Sequence, residues 1–337
     1  MILVTIHGSP IPEHRSHVGL GLALLVGLAV ALVSTLVVSG ARSANQASGL
    51  IAFARADGIY VMRADGTGAR RIMQTAEPGI YGRAIAWSPD GTKLVIATST
   101  GIWLIDANGR NRVRVATGGQ PYSIGEKPYR KLFYPRATNF GSPTWSPDGR
   151  SIAFTAFQGV ENRDIWVMNA DGSGQHRLKK TPFWEGNVDW SPDGGWLVFD
   201  SGGYVSDVYV MKTNGTGLRL LTPGGGWVGS GQPAWSPDGH KVVFARPSGI
   251  WVMNANDGAQ RQLTHHALDE FDEYPAWSSN GRIAFVRKLD WKKEMLPAAR
   301  DASSEIYVMN ADGTGATRLT HNRVGEASPA WQPIPPP

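Results

Sequence analysis

The residues Trp-Ser-Pro-Asp-Gly begin at Trp87, Trp145, Trp190 and Trp235; a diverged copy, Trp-Ser-Ser-Asn-Gly, begins at Trp277, and Trp-Gln-Pro at Trp331. Spacings between 42 residues (Trp235 to Trp277) and 58 (Trp87 to Trp145) belong to propeller blades rather than to helical solenoids. No other feature restricts the fold so strongly, because such a unit buries its apolar face only against the next copy. Within the motif, Pro presets φ, Asp tolerates the bridge region and Gly accepts positive φ, so each copy is a turn between antiparallel strands. Alternating apolar stretches follow at residues 93–97, 151–155, 195–199 and 241–245, and these read as strands. At the fifth copy Asn280-Gly281 replaces Pro-Asp-Gly and the next strand starts at Arg282. A two-residue type I′ loop is expected there.

A second motif lies between the tryptophans: IYVMRADGTG from Ile59, IWLIDANGR from Ile102, IWVMNADGSG from Ile165, VYVMKTNGTG from Val208, IWVMNANDG from Ile250 and IYVMNADGTG from Ile306. Each is a strand and a hairpin turn. Short segments such as Arg177-Leu178, Arg261 to Thr264 and Arg318-Leu319-Thr320 follow, and arginine on an outermost strand opposes edge-to-edge pairing. Four strands in each of six copies make an all-β, six-bladed β-propeller. The chain enters it at Leu50 with strands two to four of a blade, and Ser328 to Trp331 supplies the first strand. The C-terminal strand is therefore expected to close the ring.

The pairing of PAWSPDG with IWVMNADGSG and a following Arg-Leu-Thr resembles the TolB family of six-bladed propellers over residues 50–332. The resemblance implies an extracytoplasmic protein. TolB carries an α/β domain ahead of its propeller and binds the lipoprotein Pal; similar blades precede prolyl-oligopeptidase catalytic domains. Here about ten residues separate the first blade from an apolar segment, and the chain lacks the Gly-x-Ser-x-Gly elbow of a hydrolase domain.

That apolar segment, residues 18–38, carries no charge over 21 residues, enough at 1.5 Å per residue to cross a hydrocarbon core of about 30 Å. Its length favours a retained anchor over a cleaved signal, whose apolar region runs about 7–15 residues; Ser39-Gly40-Ala41 is the alternative cleavage site. The expected organisation is a cytoplasmic tail at 1–17, a transmembrane helix at 18–40, a linker at 41–49, the propeller at 50–332 and a proline-rich tail at 333–337. It describes a single-pass protein of the bacterial cell membrane with its propeller outside the cytoplasm, or a secreted or periplasmic one after cleavage. The chain contains no cysteine, which excludes disulfides, thiolate metal sites and a lipid anchor on cysteine. The net charge of +5 is concentrated in two insertions that read as solvated loops, and no nucleic-acid module accompanies them.

Chemistry-bearing motifs are few. The glycine run at 224–231 lacks the Gly-Lys-Ser/Thr of a phosphate loop. The cluster His265, His266, Asp269, Glu270, Asp272 and Glu273 lacks recognised ligand spacing, so no metal or cofactor is expected. The insertion at 118–141 places Tyr129, Arg130, Phe133 and Arg136 together, a composition enriched in binding surfaces; a second insertion, 287–304, carries Trp291 among lysines. Loops entering the innermost strands bring Arg83, Asn139, Glu185, Asn187, Gln232, Asp272, Glu273, Tyr274 and Glu326 to the channel mouth. The expected function is a non-enzymatic, membrane-anchored monomeric scaffold binding a protein or glycan of the cell envelope. The alternative is an extracytoplasmic lyase or hydrolase using Glu185, Asp272, Glu273 and Glu326, which as a glycosidase needs two carboxylates about 5–9.5 Å apart.

Overall fold

The computed structural model describes residues 49–75, 84–98, 101–117, 140–157, 163–179, 181, 183–202, 205–222, 229–266, 270–289, 304–322 and 324–334. Among them no helix is long and apolar enough to cross a membrane; the segment expected to do so, residues 18–38, lies outside them, as do residues 118–139 of the first insertion.

The strands run β1 (Leu50–Arg55), β2 (Gly58–Arg63) and β3 (Arg70–Gln74) in blade one, then β4 (Ile85–Trp87), β5 (Lys93–Thr98), β6 (Gly101–Asp106) and β7 (Val113–Thr117) in blade two. Blade three has β8 (Phe140–Trp145), β9 (Ser151–Phe157), β10 (Arg163–Asn169) and β11 (His176–Arg177); blade four has β12 (Trp184–Trp190), β13 (Trp196–Gly202), β14 (Ser206–Lys212) and β15 (Arg219–Leu220). Blade five has β16 (Gly231–Trp235), β17 (Lys241–Arg246), β18 (Gly249–Asn254) and β19 (Gln260–Gln262); blade six has β20 (Glu270–Trp277), β21 (Arg282–Leu289), β22 (Ser304–Asn310) and β23 (Thr317–Arg318). The last strand, β24 (Ala327–Trp331), returns to pair antiparallel with β1 and completes blade one. Six four-stranded sheets result, and the expected closure by the C-terminal strand is present.

The repeated pentapeptide works through its serine. Ser88 Oγ accepts the N–H of Lys93 at 2.9 Å and donates to Asp90 Oδ1 at 2.5 Å, and the same oxygen of Asp90 accepts the N–H of Thr92 at 3.0 Å. Ser146 with Asp148, Ser191 with Asp193 and Ser236 with Asp238 repeat the arrangement. These serine hydroxyls and backbone amides hold all four aspartates below their ordinary range. At the fifth copy the structure departs from the type I′ expectation. Gly281 has a φ of 79°, Asn280 is not among the residues with positive φ, and the Gly281 N–H donates to the Ser278 carbonyl. Ser278 accepts from the Arg282 N–H at 2.8 Å and donates to Asn280 Oδ1 at 2.6 Å. The serine bracket thus survives without the aspartate, so the turn stays in the family of the other four.

The middle strands of five blades carry an aromatic pair, while blade two sets Ile96 opposite Trp103. Phe53, Phe154, Phe199, Phe244 and Phe285 are buried on the second strands, opposite Tyr60, Trp166, Tyr209, Trp251 and Tyr307 on the third. Blades also lock directly onto one another. Trp87 Nε1 donates to the Ala330 carbonyl at 3.1 Å, and outer-strand Arg219 and Arg261 donate to the Ala255 and Asp312 carbonyls of the following blade. The edge arginines therefore hold neighbouring blades as well as discouraging edge pairing. At Gly172, φ is +90° and a Cβ would overlap the carbonyl oxygen of Val115 in blade two, so two constraints select glycine there.

Candidate functional site

Two features distinguish the innermost strands. One is a bulge three residues before the tryptophan, where Ser142, Asn187, Gln232, Tyr274 and Ser328 have φ between 45° and 57°, unusual for residues other than glycine. The bulge re-aims the N–H groups toward the preceding blade: Asn187 donates to Ser142 Oγ at 3.0 Å, Tyr274 to Gln232 Oε1 at 2.7 Å, and Gln232 to Asp200 Oδ2 at 2.7 Å. Asp200 Oδ2 also accepts from Asn187 Nδ2 at 2.8 Å. Asn187, Gln232 and Tyr274, expected at the channel mouth, thus belong to a girdle that joins blades three to six. Nearer the Ser-Pro-Asp-Gly turns, all six inner strands line an axial cavity of about 300 Å³. Asp189 reaches across that end, accepting from Thr144 Oγ1 at 3.2 Å and from the Trp235 N–H at 2.9 Å.

The other feature is a cross-strand pair at the opposite end of the blades. In blade one, Glu326 accepts from Arg55 Nη2 at 2.9 Å, Arg55 Nε at 3.1 Å, Asn322 Nδ2 at 2.6 Å and Thr320 Oγ1 at 3.0 Å. In blade six, Arg287 grips Asp272 with two bonds of 2.7 and 2.8 Å, and that carboxylate raises the Arg287 pKa above its ordinary value. Glu273 pairs with Lys288 at 2.9 Å. Three of the four carboxylates expected to serve as acid or base therefore have cationic partners.

Glu185 differs. It stands opposite Ser201, the position that Arg55 and Arg287 fill in blades one and six. Its side chain is buried, at 2% exposure. Thr181 donates its hydroxyl to Oε1, while Oε2 has no partner among the described residues. Burial pushes its pKa from 4.5 to about 7; the Thr181 hydrogen bond and Lys179 oppose the rise, and Asp164 adds to it. Glu185 lines a cavity of about 300 Å³ with Lys179, Thr181, Phe183, Phe199, Ser201, Tyr209 and Leu218. Sequence reading named Glu185 but missed Ser201, Thr181 and Asp200. The signal lay in the copies, because serine occupies the end of the second strand where Arg55, Arg246 and Arg287 stand elsewhere.

Arg83, Asn139, Tyr129, Arg130, Phe133 and Arg136 lie outside the described residues. Among the described residues no three His, Cys, Asp or Glu side chains gather as a metal site.

Comparison with known proteins adds the lineage. The chain is 29% identical over 164 residues to the Tol-Pal system protein TolB of Anaeromyxobacter dehalogenans, covering 39% of this chain and 37% of that protein. It is 24% identical over 204 residues to an uncharacterized peptidase, YuxL, of Bacillus subtilis, covering 57% of this chain and 27% of that one. It thus spans well under half the length of these two relatives. The crystal structure of TolB from Acinetobacter baumannii superposes with a TM-score of 0.62 at 21% identity, over 85% of this chain and 67% of that one. The model of the TolB beta propeller domain matches residues 128–300, half of the chain, so the protein belongs to the TolB beta-propeller family.

Proposed function

We propose that the chain is a membrane-anchored scaffold outside the cytoplasm that binds a protein or glycan of the cell envelope as a monomer, without cofactor or chemistry of its own. Residues 18–38 hold it in the membrane as a single pass, and residues 50–332 do the binding. The observation that carries this reading is the occupation of the carboxylates. Asp272 is gripped through both oxygens by Arg287, and a carboxylate fixed in a charge-assisted fork is a poor proton shuttle; Glu326 is likewise ion-paired, with Arg55. The Tol-Pal system named for one relative agrees with a protein partner. Contact is made by Tyr129, Arg130, Phe133 and Arg136, since specificity on a rigid scaffold concentrates in such loops. Replacing these four by Ser should leave thermal stability nearly unchanged and weaken capture of the partner from detergent-solubilised membranes. Unchanged capture by the folded variant would exclude this contact.

One observation favours a second reading, an extracytoplasmic lyase or hydrolase: a buried carboxyl at about 7 beside a cavity suits a general acid. Turnover of chromogenic glycosides that disappears in Glu185→Gln would establish it. Asp164, the neighbouring carboxylate, is already bonded to Arg177 Nη1 at 3.2 Å and the Thr181 N–H at 3.3 Å.

A further inference from the structure

The junction of blades three and four repeats the hydrogen-bonding pattern of the junction of blades six and one with partly different side chains. At the latter, Arg318 donates to Glu305 Oε1 at 2.6 Å, the Asn322 N–H donates to the same oxygen at 3.0 Å, and Asn322 Nδ2 donates to Glu326. At the former, Arg177 donates to Asp164, the Thr181 N–H donates to Asp164, and the Thr181 hydroxyl donates to Glu185. The two junctions part company at the next shell. Glu326 also receives Arg55 and Thr320, whereas the matching places beside Glu185 hold Ser201 and Lys179.

The rest of an arginine site is nevertheless present in blade four. In blade one the Arg55 guanidinium lies 4.5 Å from the Tyr60 ring centre and 5.2 Å from that of Phe53. Arg287 takes the same position at 5.2 Å from Tyr307 and 5.7 Å from Phe285, and Arg246 at 4.8 Å from Trp251 and 5.0 Å from Phe244. The receiving aromatics of blade four, Phe199 and Tyr209, stack at 6.0 Å and 20°, against 5.7 Å and 27° for Phe53 with Tyr60 and 5.6 Å and 26° for Phe285 with Tyr307. Both rings line the Glu185 cavity. Blade four thus keeps the aromatic platform and the carboxylate, while no guanidinium among the described residues lies against its rings. Lys179 sits on the wall but makes no ion pair with Glu185.

A second observation identifies the occupant as part of a protein. Of the six exposed large hydrophobics among the described residues, Phe183, Val205, Leu218 and Leu220 belong to blade four or its entry. Phe183 and Leu218, 54% and 43% exposed, also line the cavity and so form its rim. An apolar rim around a buried acid suits an arginine anchored among nonpolar neighbours, the residue most enriched with Trp and Tyr at the energetic centres of protein interfaces.

We propose that the cavity of Phe199, Tyr209 and Glu185 receives the guanidinium of an arginine presented by a partner protein, in the place that Arg55, Arg246 and Arg287 occupy in their own blades. A planar guanidinium satisfies both demands at once, since it stacks on the rings and donates to the free oxygen of Glu185, whereas an ammonium does not stack. The proposal rests on the binding-scaffold reading but is independent of the 118–141 contact.

The test uses the full chain in detergent and N-acetyl-arginine methylamide as probe, with the citrulline analogue as its neutral isostere, read by saturation-transfer NMR. The arginine probe should bind in the millimolar range, at least tenfold more tightly than citrulline. Glu185→Gln should abolish the difference. Ser201→Arg should occupy the site from within, removing probe binding while raising the melting temperature. Lys179→Ala should tighten binding by relieving like-charge repulsion. Equal affinity for the two probes, or full binding retained in folded Ser201→Arg, would overturn the proposal. So would weaker binding in Lys179→Ala. Because the probe is a single residue, its failure would leave partner capture through Tyr129 to Arg136 untouched, and failure of that capture would leave the probe result standing.

Discussion

Glu185 imposes a pH-dependent cost on folding. Its carboxyl titrates at about 7 in the folded chain against an ordinary 4.5, so the folded state holds the proton where the unfolded state has released it. Below pH 4.5 both states are protonated and there is no penalty. The penalty grows between 4.5 and 7 and is constant above, at most roughly 3 kcal/mol by linkage. Glu185→Gln should therefore match the wild type in thermal melts at pH 4 and exceed it at pH 8; a variant equally displaced at both pH values would refute the titration. Two glycines offer a second contrast at this scale. Gly258 has a φ of +73° with nothing within 4 Å of a would-be Cβ, whereas Gly172 combines a φ of +90° with the overlapping Val115 carbonyl. Gly258→Ala should cost roughly 1–2 kcal/mol for its backbone alone, and Gly172→Ala at least twice that, as denaturant midpoints would show.

At the scale of elements, the serine-aspartate turn sets the acid limit of the fold. Asp90, Asp148, Asp193 and Asp238 are held below their ordinary value of 3.8. A depressed folded pKa stabilises above the unfolded value and is lost as pH falls through the folded one, so this support disappears below about pH 4. Changing all four to Asn should lower the melting temperature at pH 7 and flatten its fall between pH 4 and 2; a parallel curve would show that the turns do not govern it. The bracket around Asn280 shows that asparagine fits the site. Strands, blade number and the four Ser-Pro-Asp-Gly turns were legible in the sequence because alternation and turn chemistry are local, whereas the Asn280-Gly281 turn was not, its serine bracket being the same as in the other copies. The girdle was not, because a bulge is visible only through its strand partner and Asn187, Gln232 and Tyr274 share geometry rather than chemistry. Glu326 and Asp272 were legible as carboxylates, yet their neutralising partners stand 271 and 15 residues away.

For the molecule as a whole, closure is the decisive contact. Ile51 pairs with Trp331 and Ala52 with Ala330, and Trp331 is buried among Ile51, Phe53, Met62 and blade-six residues. Removing residues 327–337 should leave β1 as an exposed edge, and such edges recruit other chains. Sedimentation should show aggregation and limited proteolysis an early cut in blade one; a monodisperse truncation of unchanged melting temperature would contradict closure. The same contact imposes an order on biosynthesis. Of the described strands β1 is made first and its partner β24 last, so the ring cannot close until all the strands between them have been made. Until Ala327–Trp331 emerge, the polypeptide remains an open array of blades, and the final strand acts as the latch that ends that period.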